Sequence, residues 1–347
     1  ASDFEVRLLT LKAELTDLKV VKSSAVDALM DEISQKVLKP SFKIDLSQKM
    51  GPKGKAVFCI DEEPETFFVI KQIQRNIHRI YGVKQASRHD LVCQLRDMLV
   101  SKFPFELVRT DISSFYESID RKRLLEKLER DQLLSSASKK YIKQVLDSYG
   151  LISGKPTGVP RGVGISAYLA ELYLRPVDKT IRAIPGLVLY CRFVDDIVAV
   201  FARPPAGKSL GSFKQLINET LSDNGLALNE EKTSEFNLAD ANPKKFEYLG
   251  YRFYLKQELF EISPSAAKVM KYRSRRNAAF ADYWREKPVN SKKAFRKLVG
   301  RIKFLTGNTR LSNSKARAAT GIYFNNPLVT DLSSFKLLDR QLRKRID

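Results

Sequence analysis

Hydrophobic positions recur every three or four residues along several long stretches of the chain, and this spacing is typical of amphipathic helices. It predicts one or two helices over residues 5–39, a basic helix over residues 67–81 and another over residues 88–100. A long helix is expected to follow the glycine-rich stretch at residues 157–166, and the chain from residue 263 onward is predicted to be helical. Helices therefore dominate the predicted structure.

Short runs of β-branched and aromatic residues lie between these helices and predict strands. Residues 56–60 form one such run, and an alternating run ends at Asp111. Residues 226–233 predict a short strand followed by a polar turn, and the aromatic stretch at residues 246–255 predicts a strand or a hairpin. The pattern thus indicates a chain of mixed helix and sheet.

Asp195 and Asp196 lie between two apolar runs that are each short enough to be a strand, which places the pair at a chain reversal. Two adjacent carboxylates repel each other, and burying either one without a partner is costly. A divalent cation held by oxygen ligands is the simplest counter-charge. A solvated Asp-Asp turn is the alternative, and for these two residues alone it is the more common arrangement.

Asp111 falls where a strand breaks, so its side chain can point into a cleft, although a cap or turn residue is the commoner role. A strand and a hairpin can pair in one sheet, which would bring Asp111 close to Asp195 and Asp196. Three carboxylates in a basic protein suggest two magnesium ions that stabilise the attacking and leaving oxygens of a phosphoryl displacement. The glycine-rich loop can approach a phosphate, but its spacing fits neither a Rossmann nor a Walker motif.

Charge and cysteine content limit the possible partners. The 61 Lys and Arg residues exceed the 40 Asp and Glu residues by 21, an excess that most often attracts nucleic acid, with an anionic membrane surface as the alternative. No apolar run approaches the roughly 20 residues of a spanning helix, so no membrane partner is expected. Cys59, Cys93 and Cys191 are odd in number and far apart, which argues against a disulfide framework and favours a cytoplasmic location.

Basic residues are concentrated near the end of the chain, where few acids occur and aromatic residues lie between the cations. A solvated helix face is the alternative, but balanced surface charge is the norm. We interpret this segment as a groove for a nucleic-acid backbone. The expected nucleic-acid-binding residues are Lys268, Lys271, Arg275, Lys297 and Arg301.

Five landmarks, taken in order, resemble the palm motifs of reverse transcriptases, which are right-hand-shaped polymerases. They are Asp-x-x-x-Phe-Tyr at residues 111–116, Pro-x-Gly-x-x-x-Ser at residues 160–166, aromatic-x-Asp-Asp at residues 193–196, Lys232, and Tyr-Leu-Gly-Tyr at residues 248–251. The resemblance covers residues 88–254 and implies an α+β fold with fingers, a palm containing an antiparallel sheet and a helical thumb. The implied domains are N-terminal helices and fingers at 1–107, palm at 108–259 with a fingers segment between about 121 and 156, and basic helical thumb at 260–347.

The resemblance implies a catalytic role for the clustered acids and one lysine. Asp111, Asp195, Asp196 and the main-chain carbonyl of Ile112 would bind two Mg²⁺ ions, with Mn²⁺ as the alternative ion. Lys232 resembles the lysine proposed to protonate the leaving pyrophosphate, although a surface lysine in a polar turn explains the residue nearly as well.

Other matching positions resemble those that surround the nucleotide and the primer. Tyr116 occupies the family's sugar-gate position, where a bulky ring collides with a ribose 2′-hydroxyl and thereby favours deoxynucleotides. Arg161 and Gly162 resemble the loop beneath the nucleotide, and Arg161 stands where the family usually has Gln. The remaining nucleotide-binding candidates are Arg88, Ser113, Ser114 and Phe115, and the primer-grip candidates are Tyr248, Leu249, Gly250 and Tyr251.

The motifs are similar to those of the bacterial defence-associated reverse transcriptases, and the segments at residues 304–308 and 321–326 are similar to the a-subunit of the type-3 defence system. This resemblance implies an antiphage RNA-directed DNA polymerase that uses dNTPs, a dedicated non-coding RNA as template and a DNA product. It also implies a second reverse transcriptase subunit and a higher-order assembly. The alternatives are a retron or other cellular reverse transcriptase, and a non-catalytic RNA-binding protein with a polymerase fold.

Overall fold

The computed structural model describes residues 3–51, 54, 56–84, 86–101, 103–203, 211–256, 259–310 and 319–346. The helices are α1 (Asp3–Leu38), α2 (Pro64–Ile80), α3 (Arg88–Val100), α4 (Phe115–Ser118), α5 (Arg121–Asp131), α6 (Ser136–Ser153), α7 (Gly164–Arg182), α8 (Phe213–Ser222), α9 (Ala266–Glu286), α10 (Ser291–Thr306) and α11 (Ser333–Ile346). The strands are β1 (Leu46–Met50), β2 (Ala56–Ile60), β3 (Phe105–Asp111), β4 (Leu187–Phe193), β5 (Asp196–Ala202), β6 (Ser234–Asn237), β7 (Lys244–Tyr248), β8 (Tyr251–Lys256), β9 (Leu259–Pro264), β10 (Asn308–Arg310) and β11 (Ala319–Gly321). Within the described ranges, no helix is both long enough and apolar enough to cross a lipid bilayer.

The chain divides into two compact units, each assembled from three separate segments. The first unit comprises Ala1–Lys84, Ser113–Ile181 and Thr220–Ala227. The second unit comprises Gln85–Ile112, Arg182–Glu219 and Leu228–Asp347. The division into fingers, palm and thumb stays a prediction.

A four-stranded antiparallel sheet forms the centre of the second unit, with the strand order β4-β5-β3-β6. The strands β4 and β5 form a hairpin, and β3 pairs with β5 along its whole length from Phe105 opposite Ala202 to Asp111 opposite Asp196. Five consecutive residues of β5 are buried on both faces, as expected for a central strand. A separate three-stranded sheet, β7-β8-β9, belongs to the same unit.

One hydrophobic core holds these two sheets and helix α3 together. Its members from α3 and the four-stranded sheet are Leu91, Val92, Leu95, Leu99, Leu107, Cys191, Val198 and Val200. The second sheet adds Phe246, Tyr248, Tyr251, Phe253 and Ile262. Burial of each large apolar side chain stabilises the fold by about 1.5–3 kcal/mol. This core therefore fixes the positions of β3 and β5, including the polar residues at their ends.

Helices form most of the first unit, around buried residues of α2, α5, α6 and α7 that recur at helical spacing. Helix α1 continues without interruption from Asp3 to Leu38, and its residues from Val6 to Leu29 are exposed. Ile33 near its end is 4% exposed, and Lys36 forms an ion pair of 2.8 Å with Glu65 at the start of α2. The C-terminal end of α1 is therefore anchored in the unit.

Most predicted elements occur at or near the predicted residues. Helix α3 begins at Arg88 as predicted, with the Ser87 hydroxyl accepting a hydrogen bond from the main chain of Asp90. The prediction of a strand within residues 226–233 was wrong, because Leu228 makes a single bridge with Ile112 and the chain then enters a 3₁₀ turn at Glu230–Lys232. The chain from residue 263 onward is mostly helical as predicted, but the strands β10 and β11, which pair antiparallel after α10, were not predicted.

Candidate active site

Two of the predicted carboxylates lie directly opposite each other at the end of the central sheet. Asp111 is the last residue of β3 and Asp196 is the first residue of β5, and their Cα atoms are partners in the antiparallel register. Asp195 lies in the two-residue turn between β4 and β5, and its carbonyl accepts a hydrogen bond of 3.0 Å from the main-chain N–H of Ile112. The predicted pairing of a strand and a hairpin in one sheet is confirmed, and it places these three residues at the same end of the sheet.

The turn that carries Asp195 contains a strained residue. Val194 has a φ of +58°, a left-handed conformation that a β-branched side chain rarely adopts. In two-residue hairpin turns, glycine or asparagine usually occupies such a position. Strain of this kind costs on the order of 1–3 kcal/mol and occurs preferentially at functional sites. The packing of β4 and β5 therefore holds the turn in a shape that its own residues do not favour.

Asp111 is buried and is hydrogen-bonded on both its side chain and its main chain. Its side chain is 9% exposed, and Oδ2 accepts a hydrogen bond of 2.7 Å from Nζ of Lys232. The carbonyl of Asp111 accepts a hydrogen bond of 2.8 Å from the main-chain N–H of Asn229, which begins the same 3₁₀ turn. The turn therefore presents Lys232, whose side chain is 54% exposed, to the carboxylate.

Asp196 contacts an arginine that sequence reasoning missed. Its Oδ1 accepts a hydrogen bond of 3.0 Å from Nη2 of Arg109, whose side chain is 15% exposed. Burial raises the pKa of the Asp196 carboxyl above its ordinary value; the Arg109 guanidinium opposes this shift, and the neighbouring carboxylates of Asp111 and Asp195 reinforce it. In the sequence, the signal that could have pointed to Arg109 is a charged residue within a strand whose other residues are mostly buried.

The oxygen atoms at this end of the sheet are of the kind that a hard divalent cation prefers, namely carboxylate oxygens with main-chain carbonyls nearby. The side chains of Asp111 and Asp196 each contact a basic side chain, as described above. Among the residues that the structure describes, no three His, Cys, Asp or Glu side chains converge on a common metal position. The residue types fit Mg²⁺, and the register of β3 and β5 places two of the candidate ligands, Asp111 and Asp196, on facing strands.

A second cluster, in the first unit, surrounds Tyr116. Arg161 forms a bidentate ion pair with Glu117, through Nε to Oε1 at 2.6 Å and Nη2 to Oε2 at 2.9 Å. Its guanidinium also lies over the ring of Tyr116, 5.0 Å from the centroid. The glycine-rich loop contacts the same turn through its main chain, because the N–H of Val159 donates to the carbonyl of Tyr116 at 2.8 Å. Arg161 thus holds the aromatic ring from one side.

Gly162 allows the glycine-rich loop to lie against strand β2. Its φ is +100°, and a Cβ atom at this position would come within 2.6 Å of the carbonyl oxygen of Phe58 and of Cγ1 of Val57. The main-chain N–H of Phe58 donates a hydrogen bond of 2.6 Å to the carbonyl of Arg161. Glycine is therefore required by both the backbone conformation and the close approach.

The other nucleotide-binding candidates have different surroundings. Phe115 is 1% exposed, so the residue belongs to the core. Ser113 donates its main-chain N–H to the carbonyl of Ala227 at 2.8 Å, and Ser114 is exposed with a φ of +44°. Arg88, which belongs to the second unit, lies over the ring of Phe193 at 4.5 Å from the centroid.

The primer-grip candidates form the turn of the β7–β8 hairpin. Leu249 and Gly250 both have positive φ, of +48° and +83°, which is the pattern of a type I′ turn. Tyr248 is 1% exposed, and its hydroxyl has no hydrogen-bond partner among the described residues. Nζ of Lys268 lies 4.5 Å from the ring centroid of Tyr251, and burial, together with the charge of Arg88, lowers the pKa of Lys268 to about 8.

The basic candidates on α9 and α10 differ in how they are paired. Lys297 forms an ion pair of 2.6 Å with Glu286, and Arg301 forms an ion pair with Asp282. Both pairs link α10 to α9, so these cations have a structural role. Lys271 and Arg275 are exposed on α9.

Sequence comparison identifies the family of this chain. Residues 70–253, just over half of the 347 residues, match the family described as reverse transcriptase (RNA-dependent DNA polymerase). The chain belongs to the reverse transcriptase family. The matched range includes Asp111, Asp195, Asp196 and Lys232, and the mixed helical and antiparallel architecture fits the right-hand polymerase fold. No curated protein sequence matches the chain.

Solved structures give distant likenesses to this reverse transcriptase. Apo telomerase from Candida tropicalis, truncated from its C-terminal domain, is 14% identical with a TM-score of 0.41 over 66% of this chain and 56% of that chain. Telomerase from Candida albicans with a TWJ fragment of telomeric RNA is 12% identical with a TM-score of 0.45 over 80% and 59%, and an RdRp complex is 9% identical with a TM-score of 0.42 over 84% and 30%. The chain thus spans less than two thirds of each of these chains, and we base no argument on them.

Proposed function

We propose that this member of the reverse transcriptase family is an RNA-directed DNA polymerase that extends a primer hydroxyl with dNTPs. One observation carries the proposal: Asp111 and Asp196 face each other at the end of β3 and β5, with Asp195 in the adjoining turn. Carboxylates held close together repel one another; Lys232 and Arg109 contact Asp111 and Asp196, and a bound divalent cation would add further positive charge. The excess of 21 basic residues supports a polyanionic substrate for the rest of the surface.

The carboxylates of Asp111, Asp195 and Asp196, with the carbonyl of Ile112, would hold two Mg²⁺ ions, and Mn²⁺ is the alternative ion. When bound, such ions lower the pKa of an attacking hydroxyl and neutralise charge on the leaving group. Nζ of Lys232 lies 2.7 Å from Oδ2 of Asp111, which places the ammonium beside the carboxylates. We assign Lys232 the protonation of the leaving pyrophosphate.

Selection of the nucleotide is assigned to the cluster in the first unit. The ring of Tyr116, held by Arg161, would exclude a ribose 2′-hydroxyl and favour deoxynucleotides. The main chain of Ser113, Ser114 and Phe115 would line the nucleotide site, together with the loop at Gly162. Arg88 is proposed to contact the triphosphate.

Template and primer are assigned to the basic helices and to the β7–β8 turn. Lys271 and Arg275 are exposed on α9, and Lys268 lies at the turn formed by Tyr248–Tyr251, which we propose as the primer grip. RNA affinity is expected to fall steeply with salt, with a log–log slope of about −0.7 for each phosphate contacted in a single strand. The proposed domains follow this assignment, with N-terminal helices and fingers at 1–107, palm at 108–259 with a fingers segment between about 121 and 156, and basic helical thumb at 260–347.

The biological role that we propose is bacterial antiphage defence with a dedicated non-coding RNA as template, in the cytoplasm. The motifs at residues 88–92, 111–119 and 160–166 support it, as do the segments at residues 304–308 and 321–326, which are similar to the type-3 defence a-subunit. A second reverse transcriptase subunit and a higher-order assembly are part of this proposal. A retron or other cellular reverse transcriptase would differ in its RNA partner and in the DNA that it makes.

The test uses purified protein with its co-purifying RNA, Mg²⁺ and labelled dNTPs, with parallel reactions that contain EDTA, RNase or labelled rNTPs. DNA synthesis that requires the metal and the RNA supports the proposal, and the product sequence identifies the template and hence the subtype. RNA binding without any synthesis, after a primer and a lysate of the source cells have been supplied, would favour a non-catalytic RNA-binding protein.

A further inference from the structure

Arg109 is a charged residue inside a strand whose neighbouring positions are fully buried. Val108 and Thr110 on either side are 0% exposed, and the Arg109 side chain is 15% exposed. A guanidinium in such surroundings must be matched by hydrogen-bond acceptors, because an unmatched buried charge is strongly unfavourable. The position of Arg109 in β3 therefore calls for a structural reason.

All three nitrogens of the Arg109 guanidinium donate hydrogen bonds, and the acceptors lie in three different segments. Nη2 donates to Oδ1 of Asp196 at 3.0 Å, Nη1 to the carbonyl of Lys232 at 2.6 Å, and Nε to the carbonyl of Glu247 at 3.1 Å. The acceptors are 87, 123 and 138 residues away along the chain. The planar, rigid fork of arginine suits this arrangement, which the point charge of a lysine cannot reproduce.

Each acceptor belongs to or adjoins a residue with a proposed part in synthesis. Asp196 is one of the carboxylates, and Lys232, held through its carbonyl, directs its Nζ to Asp111. Glu247 immediately precedes Tyr248 in strand β7, at the start of the proposed primer grip. The guanidinium thus links the carboxylate group, the proton donor and the primer-grip hairpin within one unit.

We propose that Arg109 is a positioning residue that fixes the Asp196 carboxylate, the Lys232 turn and the start of the primer-grip hairpin relative to one another. The inference rests on the proposed polymerase function. Arg109 itself touches no reacting atom in this scheme, so its loss should lower the rate of the chemical step while leaving the binding of RNA intact. For partners that orient the ligands of a metal, loss of the partner typically costs about 10–100-fold in activity or metal affinity.

The test compares Arg109→Lys, which keeps the charge but loses the fork, and Arg109→Met, which loses both, in the full chain. Arg252→Met is the matched control. Arg252 also bonds to Glu247, by donating to its side chain at 3.0 Å, but the Arg252 side chain is 43% exposed and this ion pair includes none of the proposed catalytic residues. Four quantities are measured: kcat with primer and template, KM for dNTP, RNA affinity, and Mn²⁺ affinity from the EPR signal of the free ion.

We expect both Arg109 variants to lose roughly 10–100-fold in kcat and to bind Mn²⁺ more weakly, with RNA affinity and dNTP KM unchanged within about twofold. Arg252→Met should match the wild type in all four quantities. Arg109→Lys serves as the second variant if Arg109→Met fails to fold, as judged by thermal unfolding.

Three outcomes would overturn the inference: both variants matching the wild type, full activity of Arg109→Lys, or a parallel loss of RNA affinity, kcat and thermal stability, which would indicate a general structural role. Absence of DNA synthesis by the wild-type chain would instead refute the proposed function. In that case the Mn²⁺ measurement still decides whether Arg109 orders the carboxylates.

Discussion

Replacing Gly162 with alanine should destabilise the first unit, because two separate costs act at this position. The φ of +100° is unfavourable for any residue with a Cβ, and left-handed conformations cost roughly 1–2 kcal/mol. The added Cβ would also lie 2.6 Å from the carbonyl oxygen of Phe58 and from Cγ1 of Val57, so β2 or the loop must move. Overpacking of this kind costs about 1–3 kcal/mol, which gives a total of about 2–5 kcal/mol.

Gly154 provides a matched control within the same unit. It ends helix α6 with a φ of +64°, and nothing lies within 4 Å of a Cβ built on it. Gly154→Ala should therefore carry the conformational cost of about 1–2 kcal/mol without the steric one. The difference between the two variants isolates the contact with Phe58.

Thermal unfolding followed by circular dichroism measures this difference directly. Since 1 kcal/mol shifts the melting temperature of a 150–250-residue domain by about 2–4 °C, Gly162→Ala should melt at least about 2 °C below Gly154→Ala. Equal melting temperatures for the two variants would refute the close approach of the loop to β2. The movement should also disturb Arg161 next to it, so we expect DNA synthesis to fall in Gly162→Ala and not in Gly154→Ala.

Three further predictions concern the nucleotide and primer sites. Tyr116→Ala should admit ribonucleotides, since the ring that would collide with a 2′-hydroxyl is removed; unchanged kcat/KM ratios for dNTP and rNTP would exclude a gate role. Arg161→Gln should partly relax the discrimination between dNTP and rNTP, because the Tyr116 ring loses its cation and Glu117 loses its bidentate partner. The effects of Arg161→Gln and Glu117→Gln on this discrimination should not add in the double variant, and strict additivity would contradict a coupling between Arg161 and Glu117. The pKa of Lys268 is lowered to about 8 in the folded chain, from 10.5 in the unfolded chain. Between these two pH values the unfolded chain binds more protons than the folded chain. The free energy of unfolding should therefore rise from about pH 8 to 10.5. Lys268→Met should remove this rise in urea unfolding, and an identical pH profile for the variant would argue against a half-buried ammonium.

The positions of the aspartates at the ends of β3 and β5 could be predicted from the sequence, because the residue patterns that specify them are local. The apolar run before Asp111 and the two runs around Asp195 and Asp196 each specify a strand and its end. Antiparallel pairing then leaves few ways to arrange them. The helix α3 was equally accessible, because its apolar stripe and its N-terminal cap lie within fourteen residues.

The network around these carboxylates could not be predicted in this way. Arg109 binds acceptors 87 to 138 residues distant, and no spacing rule connects it with Lys232 or Glu247. The left-handed Val194 contradicts its own residue preference and is imposed by the packing of β4 and β5. The residues before the 3₁₀ turn were predicted as a short strand, although Leu228 makes only a single bridge, with Ile112.

The measurement that tests the central claim most directly is primer extension by the isosteric variants Asp111→Asn and Asp195→Asn, alongside their affinity for the RNA. These changes keep the shape of each side chain and remove its negative charge. If the carboxylates hold the catalytic metal ions, the rate of DNA synthesis should fall by more than the roughly 100-fold that is typical for loss of a residue that only orients a metal ligand. RNA affinity should stay within about twofold of the wild type. DNA synthesis at the wild-type rate by either variant would contradict the assignment of these aspartates and, with it, the proposed mechanism.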